Sequence, residues 1–320
     1  MTRAGSLTWF AHHELRLAWR DWLSMMTAGR RGRERTVAIA LVVFIVFAHV
    51  LAFYFVARYV NVGTEPDKPA LVVITASVLL SWSLLMSQAM ESVTRAFYAR
   101  SDLDLILSSP AAAQRIFAVR IGAMALSVIL MAALLAAPVI DVLVIRGGAR
   151  WLGAYGVVVA IGATAAALAV ALTVALFRVI GPKRTRLVAQ ILAAVIAAVF
   201  IIGLQVAAIM SHGTLSRLVF LQSDTLIAMV PGVESLVWWP ARAALGDVTA
   251  LATVLGLSLT LLGGAIVIFS ARFGDHAIAA SSVTATGASQ RRTSGFRHAA
   301  PMRVLRQKEW TLLLRDPWLV

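Results

Sequence analysis

Two acids one residue apart, Asp102 and Asp104, come nearest to a chemical site in this chain of 320 residues. A D-x-D pair can hold a divalent metal against the diphosphate of a nucleotide sugar. That chemistry would make a membrane-embedded glycosyl- or lipid-transferase. Such a site needs further acids and donor-binding groups, and the surrounding segment adds only Glu91. His12-His13-Glu14 also suggests a metal. It lacks the i, i+4 histidines that put two ligands on one helix face. No G-x-x-x-x-G-K-[ST] phosphate loop is present, and the only lysines are Lys68, Lys183 and Lys308. The chain therefore cannot use ATP through a P-loop of its own. It has no H-E-x-x-H, no G-x-S-x-G and no plausible Ser/His/Asp set. It has no cysteine, hence no thiolate ligand, cysteine nucleophile or disulfide. The expectation is a protein that is not itself an enzyme and carries no cofactor or metal of its own.

The elements behind these residues are long and apolar. Six stretches, 37–57, 70–90, 121–140, 151–177, 187–210 and 248–271, contain no Asp, Glu, Lys or Arg. Each meets the roughly 17–25 apolar residues that a helix needs to cross a bilayer. The polar residues within them include His49, Gln88, Gln190 and Gln205. His49 and Gln205 read as interhelical hydrogen-bond formers. With no acid or base counted inside a span, an ion-coupled carrier is disfavoured.

Charge sets the expected orientation. Of 29 Lys and Arg, 23 fall in the N-terminal segment, connections 2 and 4, and the C-terminal segment. Acids divide nine to six, so these segments carry 23 − 9 = +14 and the opposite side 6 − 6 = 0. Positive segments stay in the cytoplasm. The expected protein is an all-α polytopic membrane protein with six transmembrane helices and both termini cytoplasmic. The basicity is then a topology signal with affinity for anionic headgroups of membrane lipids, and no nucleic acid is expected as a partner. The expected organisation is a cytoplasmic segment over 1–36, a six-span domain over 37–271, a cytoplasmic linker over 272–301, and a further segment over 302–320. The first apolar run lies behind seven arginines and is too long for a signal-peptide core.

The connections have their own patterns. Residues 6–28 place Leu15, Trp19, Trp22, Leu23 and Met26 on one helical face, as in a helix lying in the interface. Between spans two and three, Ser101 can cap a short helix whose first turn holds Asp102 and Asp104. Leu103, Ile106 and Leu107 make one apolar face, and Ser108 or Ser109 caps a following helix with Pro110 in its first turn. Gly156, Ala160 and Thr164 form a small-residue ladder in the fourth span. Between spans five and six, 226–230 and 233–239 are apolar pieces too short to span, broken by Pro231-Gly232 and ended by Pro240. They read as external re-entrant helices, with Trp238 and Trp239 in an interfacial belt.

Glu14, Arg20 and Asp21 recur at the same spacing as Glu309, Arg315 and Asp316, and a tryptophan follows each set, Trp22 and Trp318. This repeat leads us to expect that 302–320 opens a second six-span unit. The next residues would form another basic-flanked apolar span within about twenty residues, by analogy with Asp21 to Val37.

The plan resembles the membrane subunits of ABC exporters of the second export class. Ser101-Asp102-Leu103-Asp104-Leu105-Ile106-Leu107-Ser108-Ser109-Pro110 is similar to the "DLDLLLSSP" stretch of their coupling region. Trp239-Pro240-Ala241-Arg242-Ala243-Ala244-Leu245-Gly246 is similar to a segment before their sixth span. The resemblance implies a permease in a bacterial inner membrane. A separate ATPase subunit, carrying the ATP and magnesium, would dock at Asp102–Pro110 through a cytoplasmic coupling helix. It also implies a second six-span half, fused or as a homodimer. A non-transporting membrane assembly protein is the other reading alongside the transferase.

Overall fold

A computed structural model describes residues 12–13, 16–17, 19–20, 23–24, 26–27, 32–56, 67–98, 113–212, 224–286, 302, 305–306 and 308–310. Among these residues there are helices and turns but no strand. Contacts divide the chain into two units, Met1–Ala280 and Ser281–Val320. In the second unit, the described residues between 302 and 310 are helical.

The elements that start within the first unit are α1 (Glu34–Val56), α2 (Lys68–Tyr98), α3 (Ala113–Gly147), a 3-10 turn (Ala149–Leu152), α4 (Gly153–Ile180) and α5 (Pro182–His212). A short α6 (Asp224–Met229), a second 3-10 turn (Leu236–Trp238), a short α7 (Trp239–Ala244) and α8 (Val248–Thr286) follow. Each of the six apolar stretches falls largely on its own long helix, the fourth beginning in the 3-10 turn before α4. Among the described residues, five helices are long and apolar enough to cross a membrane: α1, α2, α3, α4 with its preceding turn, and α8. A shorter apolar run, Leu187–Gly203, lies in α5. The protein is a helical membrane protein of the multi-pass kind.

Local sequence explains the boundaries. Asp67 precedes α2 and its carboxylate accepts from the Ala70 N–H at 3.1 Å. Asp247 does the same for α8, accepting from Thr249 and Ala250 at 2.9 and 3.1 Å. Both satisfy backbone donors that a helix start leaves unpaired. Gly148 at φ +91° breaks α3 from the 3-10 turn, a conformation that side chains with a Cβ rarely adopt. Gly181, at φ +74°, is the single residue between α4 and α5, and Pro182 starts α5 in the position proline tolerates.

α4 is the most buried of the spans. Its Ala163, Ala165 and Ala169 have no exposed surface. The expected ladder is sorted between different neighbours. Gly156 meets Leu251 of α8, and Thr164 accepts a 3.2 Å hydrogen bond from Trp82 Nε1 of α2. Gly162 faces Ile129 of α3. Small side chains let backbones approach where apolar burial alone cannot discriminate against lipid. α2 and α3 each pack along α4 but diverge from one another. α1 lies against α3 and has the least buried span.

The helices between α5 and α8 differ from expectation in two respects. Pro240 stands in the first turn of α7 rather than ending a helix, again at a position needing no N–H donor. Trp238 is 3% exposed, so it is no belt residue. Its ring packs with Leu71, Val72 and Ala241, and its Nε1 donates to Gly232 O at 2.9 Å. The indole gains more from closing this corner than from a headgroup contact, because its one donor is satisfied inside the protein. α7 then packs across the start of α4, where Gly153 abuts the Ala243 carbonyl.

Candidate functional site

The segment singled out by sequence, Asp102, Leu103, Asp104, Ile106, Leu107, Ser108, Ser109 and Pro110, lies outside the described residues. Its supports do not. α2 ends at Tyr98 and α3 begins at Ala113. Just inside those ends Met90 and Val93 of α2, Phe117 and Ile121 of α3, Phe177 of α4 and Ala189 of α5 share one core, each at most 5% exposed. Thr94, Thr173 and Thr185 are buried there too, each donating to the carbonyl four residues back. Four helices thus converge on a dense base, as close-packed cores do. A segment tethered at Tyr98 and Ala113 is attached at both ends to that base.

A second constellation lies at the opposite end of the helices, near Trp151. Tyr155, in the first turn of α4, donates to Asp141 Oδ1 at 2.6 Å. Asp141 is on α3, and its Oδ2 is 3.4 Å from His49 Nε2 on α1. His49 Nδ1 donates to the Ile45 carbonyl at 2.8 Å, because a carbonyl can only accept. With that proton engaged, Nε2 and the carboxylate can bond only if a second proton lies between them. The cluster therefore ties three helices through one carboxylate.

Asp141 corrects the expectation that no acid lies within a span. The apolar run ends at Ile140, which placed Asp141 in a loop. α3 in fact continues to Gly147 and the apolar segment with it. The signal was Val142-Leu143-Val144-Ile145, a further helical turn of apolar residues before Arg146. The expectation for His49 was an interhelical hydrogen bond, and its Nε2 lies 3.4 Å from the Asp141 carboxylate of α3.

Beside this cluster Arg146 lies 4.6 Å over the Phe53 ring of α1. Arg150 lies 5.8 Å from the ring of Trp151, which is buried. Ala52, Val56, Val142 and Leu143 complete the contact. These are the interactions that seat α1, whose remaining apolar surface faces outward at Phe44, Phe47 and Val50.

His12, by contrast, accepts a 3.2 Å hydrogen bond from Arg16, four residues further along the chain. Glu14 lies outside the described residues. Among the described residues no three His, Cys, Asp or Glu side chains converge as metal ligands would. A scan of family models and searches of curated proteins and of solved structures find no match to this chain.

Proposed function

We propose that this chain is the permease of an ATP-driven exporter, resembling the membrane subunits of the second ABC export class. In this reading six helices cross a bacterial inner membrane, with α5 as the fifth span and both termini in the cytoplasm. A separate ATPase subunit supplies the hydrolysis and docks at Asp102–Pro110. A second six-span half, fused or a second copy, completes the pathway.

The observation that carries the reading is the string from Ser101 to Pro110, set between two spans on the basic side of the chain. A coupling element must transmit force, which requires a stiff attachment. The core at Met90, Phe117 and Phe177 supports that requirement, since close-packed side chains transmit displacement with little compression. Residues 239–244, within the second likeness, form α7, which packs against α2 and α4.

The test is co-purification. The tagged chain, extracted with its genomic neighbours expressed alongside, should bring down an ATPase subunit, and the complex should hydrolyse ATP in lipid. Recovery of the chain without any nucleotide-hydrolysing subunit, from cells that express the neighbouring ATPase, would reject the proposal.

A further inference from the structure

α1 is held by little. Its span is the least buried of the five, and Phe44, Phe47 and Val50 are exposed along it. Its buried residues Ala52 and Val56 share one small cluster with Val142 and Leu143 of α3 and with Trp151. An apolar face fits lipid as well as protein, so it fixes neither the position nor the rotation of a membrane helix. The polar contact between His49 and Asp141 supplies what that face cannot.

The contact has a fixed proton requirement. An imidazole carries one proton when neutral and two when charged. The first is committed at Nδ1, 2.8 Å from the Ile45 carbonyl. Asp141 Oδ1 accepts from the Tyr155 hydroxyl at 2.6 Å, and Oδ2 stands 3.4 Å from Nε2. Without a further proton, Nε2 and Oδ2 present lone pairs to one another. Moving the Nδ1 proton to Nε2 would set a bare ring nitrogen against the Ile45 carbonyl at the shorter of the two distances. Loss of a proton therefore costs the longer contact, which is the one between helices.

Protein does not seal the pair. The His49 and Asp141 side chains are 33% and 43% exposed. Asp141 lies six residues before the end of α3, a rise of about 9 Å at 1.5 Å per residue. Water at the helix ends is close enough to give or take the proton.

The other described charges around α1 have their own engagements. Arg146 of α3 lies on the Phe53 ring and Arg150 on that of Trp151. Tyr54 of α1 is exposed and meets Phe53 edge-on. At the start of α2, Asp67 precedes Lys68 and accepts from the Ala70 N–H. Beside α7, Arg242 is 3.5 Å from Glu234, and Asp247 accepts from the first N–H groups of α8. Asp141 is thus the described acid that faces His49.

We propose that His49 and Asp141 form a proton-binding site that fastens α1 to α3 and α4. With the proton bound, an imidazolium donates from Nε2 to the carboxylate, which Tyr155 holds in place. When the proton leaves for water, a neutral imidazole and a carboxylate remain. The contact then opens and α1 shifts in the plane of the membrane. A ligand that binds the seated state better than the detached one favours seating by mass action. Seating is therefore complete at low pH and lost as pH rises. The inference does not depend on the exporter reading.

The test uses the full chain in nanodiscs of zwitterionic lipid, spin-labelled through Val43→Cys on α1 and Leu130→Cys on α3. Both positions are exposed, and the chain has no other thiol. Pulsed dipolar spectroscopy then reads the distance between the labels from about pH 5 to about pH 9, a range that brackets imidazole titration. At the acid end one narrow distance is expected. Toward the alkaline end a second, longer population should grow several-fold. Asp141→Asn offers an amide N–H to neutral Nε2 and an amide oxygen to Tyr155, so it should keep the narrow distance throughout. A distribution unchanged across the range in the labelled parent overturns the proposal, and so does a pH response in Asp141→Asn equal to the parent's. The first result needs no change at the cluster, so it stands even where the variant fails to fold.

Discussion

The Tyr155 hydroxyl reaches across from α4 to Asp141 of α3 at 2.6 Å, and it is the shorter of the two hydrogen bonds on that carboxylate. Removing it leaves a carboxylate oxygen short of a donor in an apolar region. Tyr155→Phe should destabilise the folded protein by about 1–2 kcal/mol. His49→Leu should couple to Asp141→Asn by about 0.5–2 kcal/mol, the range seen for hydrogen bonds between membrane helices. Reversible unfolding in mixed micelles, run as a double-mutant cycle, measures both. Strict additivity would mean that the His49–Asp141 contact is not made in the membrane.

Two glycines of α4 should respond very differently to the same methyl group. A Cβ at Gly153 would run into the carbonyl oxygen of Ala243, a backbone atom that cannot step aside. A Cβ at Gly156 would meet Cδ1 of Leu251, the mobile end of a side chain, at 2.6 Å. Gly153→Ala should cost about 1–3 kcal/mol through overpacking, and Gly156→Ala clearly less. Melting temperatures in detergent should fall in that order. An inverted order would show that α7 does not lie against the start of α4.

Labelling of introduced cysteines can test sidedness, since the chain has no native thiol. Trp238 and Ala241 pack against Leu71 and Val72, so Asp67 and Glu234 belong to the same end of the helices. Arg184, exposed beside Gly181, belongs to the other. Cysteines at 67 and 234 should react with an impermeant maleimide from outside the cell, and those at 104 and 184 only after lysis. Outside labelling at 184 would break the six-span reading.

If Asp102–Pro110 is the docking segment, its apolar face should carry the association. Each large apolar side chain fully buried at an interface is worth about 1.5–3 kcal/mol. Leu103→Glu/Leu107→Glu should therefore weaken recovery of the ATPase by orders of magnitude while the chain still inserts. Asp102→Asn/Asp104→Asn should have the smaller effect, whereas a transferase would lose its metal. Pull-down yields at equal membrane expression distinguish these outcomes.

Much of the fold was legible in the sequence because length and hydropathy are one-dimensional. Uncharged runs mark the long helices, and Asp67, Gly148, Gly181 and Asp247 mark several of their ends. Lateral pairing was not legible. In lipid an apolar face fits against hydrocarbon or protein alike, so periodicity does not say which side of α1 or α8 is covered. The polar cluster was half visible. His49 stood out within its run, but Asp141 lay one residue past the end of another, and a count of uncharged residues stopped there. Trp238 was misread for a related reason. An amphipathic ring suits either a headgroup layer or a buried corner, and only Gly232 offering its carbonyl decides between them.

The central position of α4 bears on how the protein is made. α2 and α3 are joined chiefly through α4, yet α4 is synthesised after both. A nascent chain that has inserted only its first three spans has the Trp82 and Ile129 faces ready and nothing between them. Until residues 153–180 emerge, those faces must wait in lipid or beside the insertion machinery. Chains stalled before Gly153 should accordingly be short-lived substrates for membrane quality control, and those stalled after Ile180 far more durable.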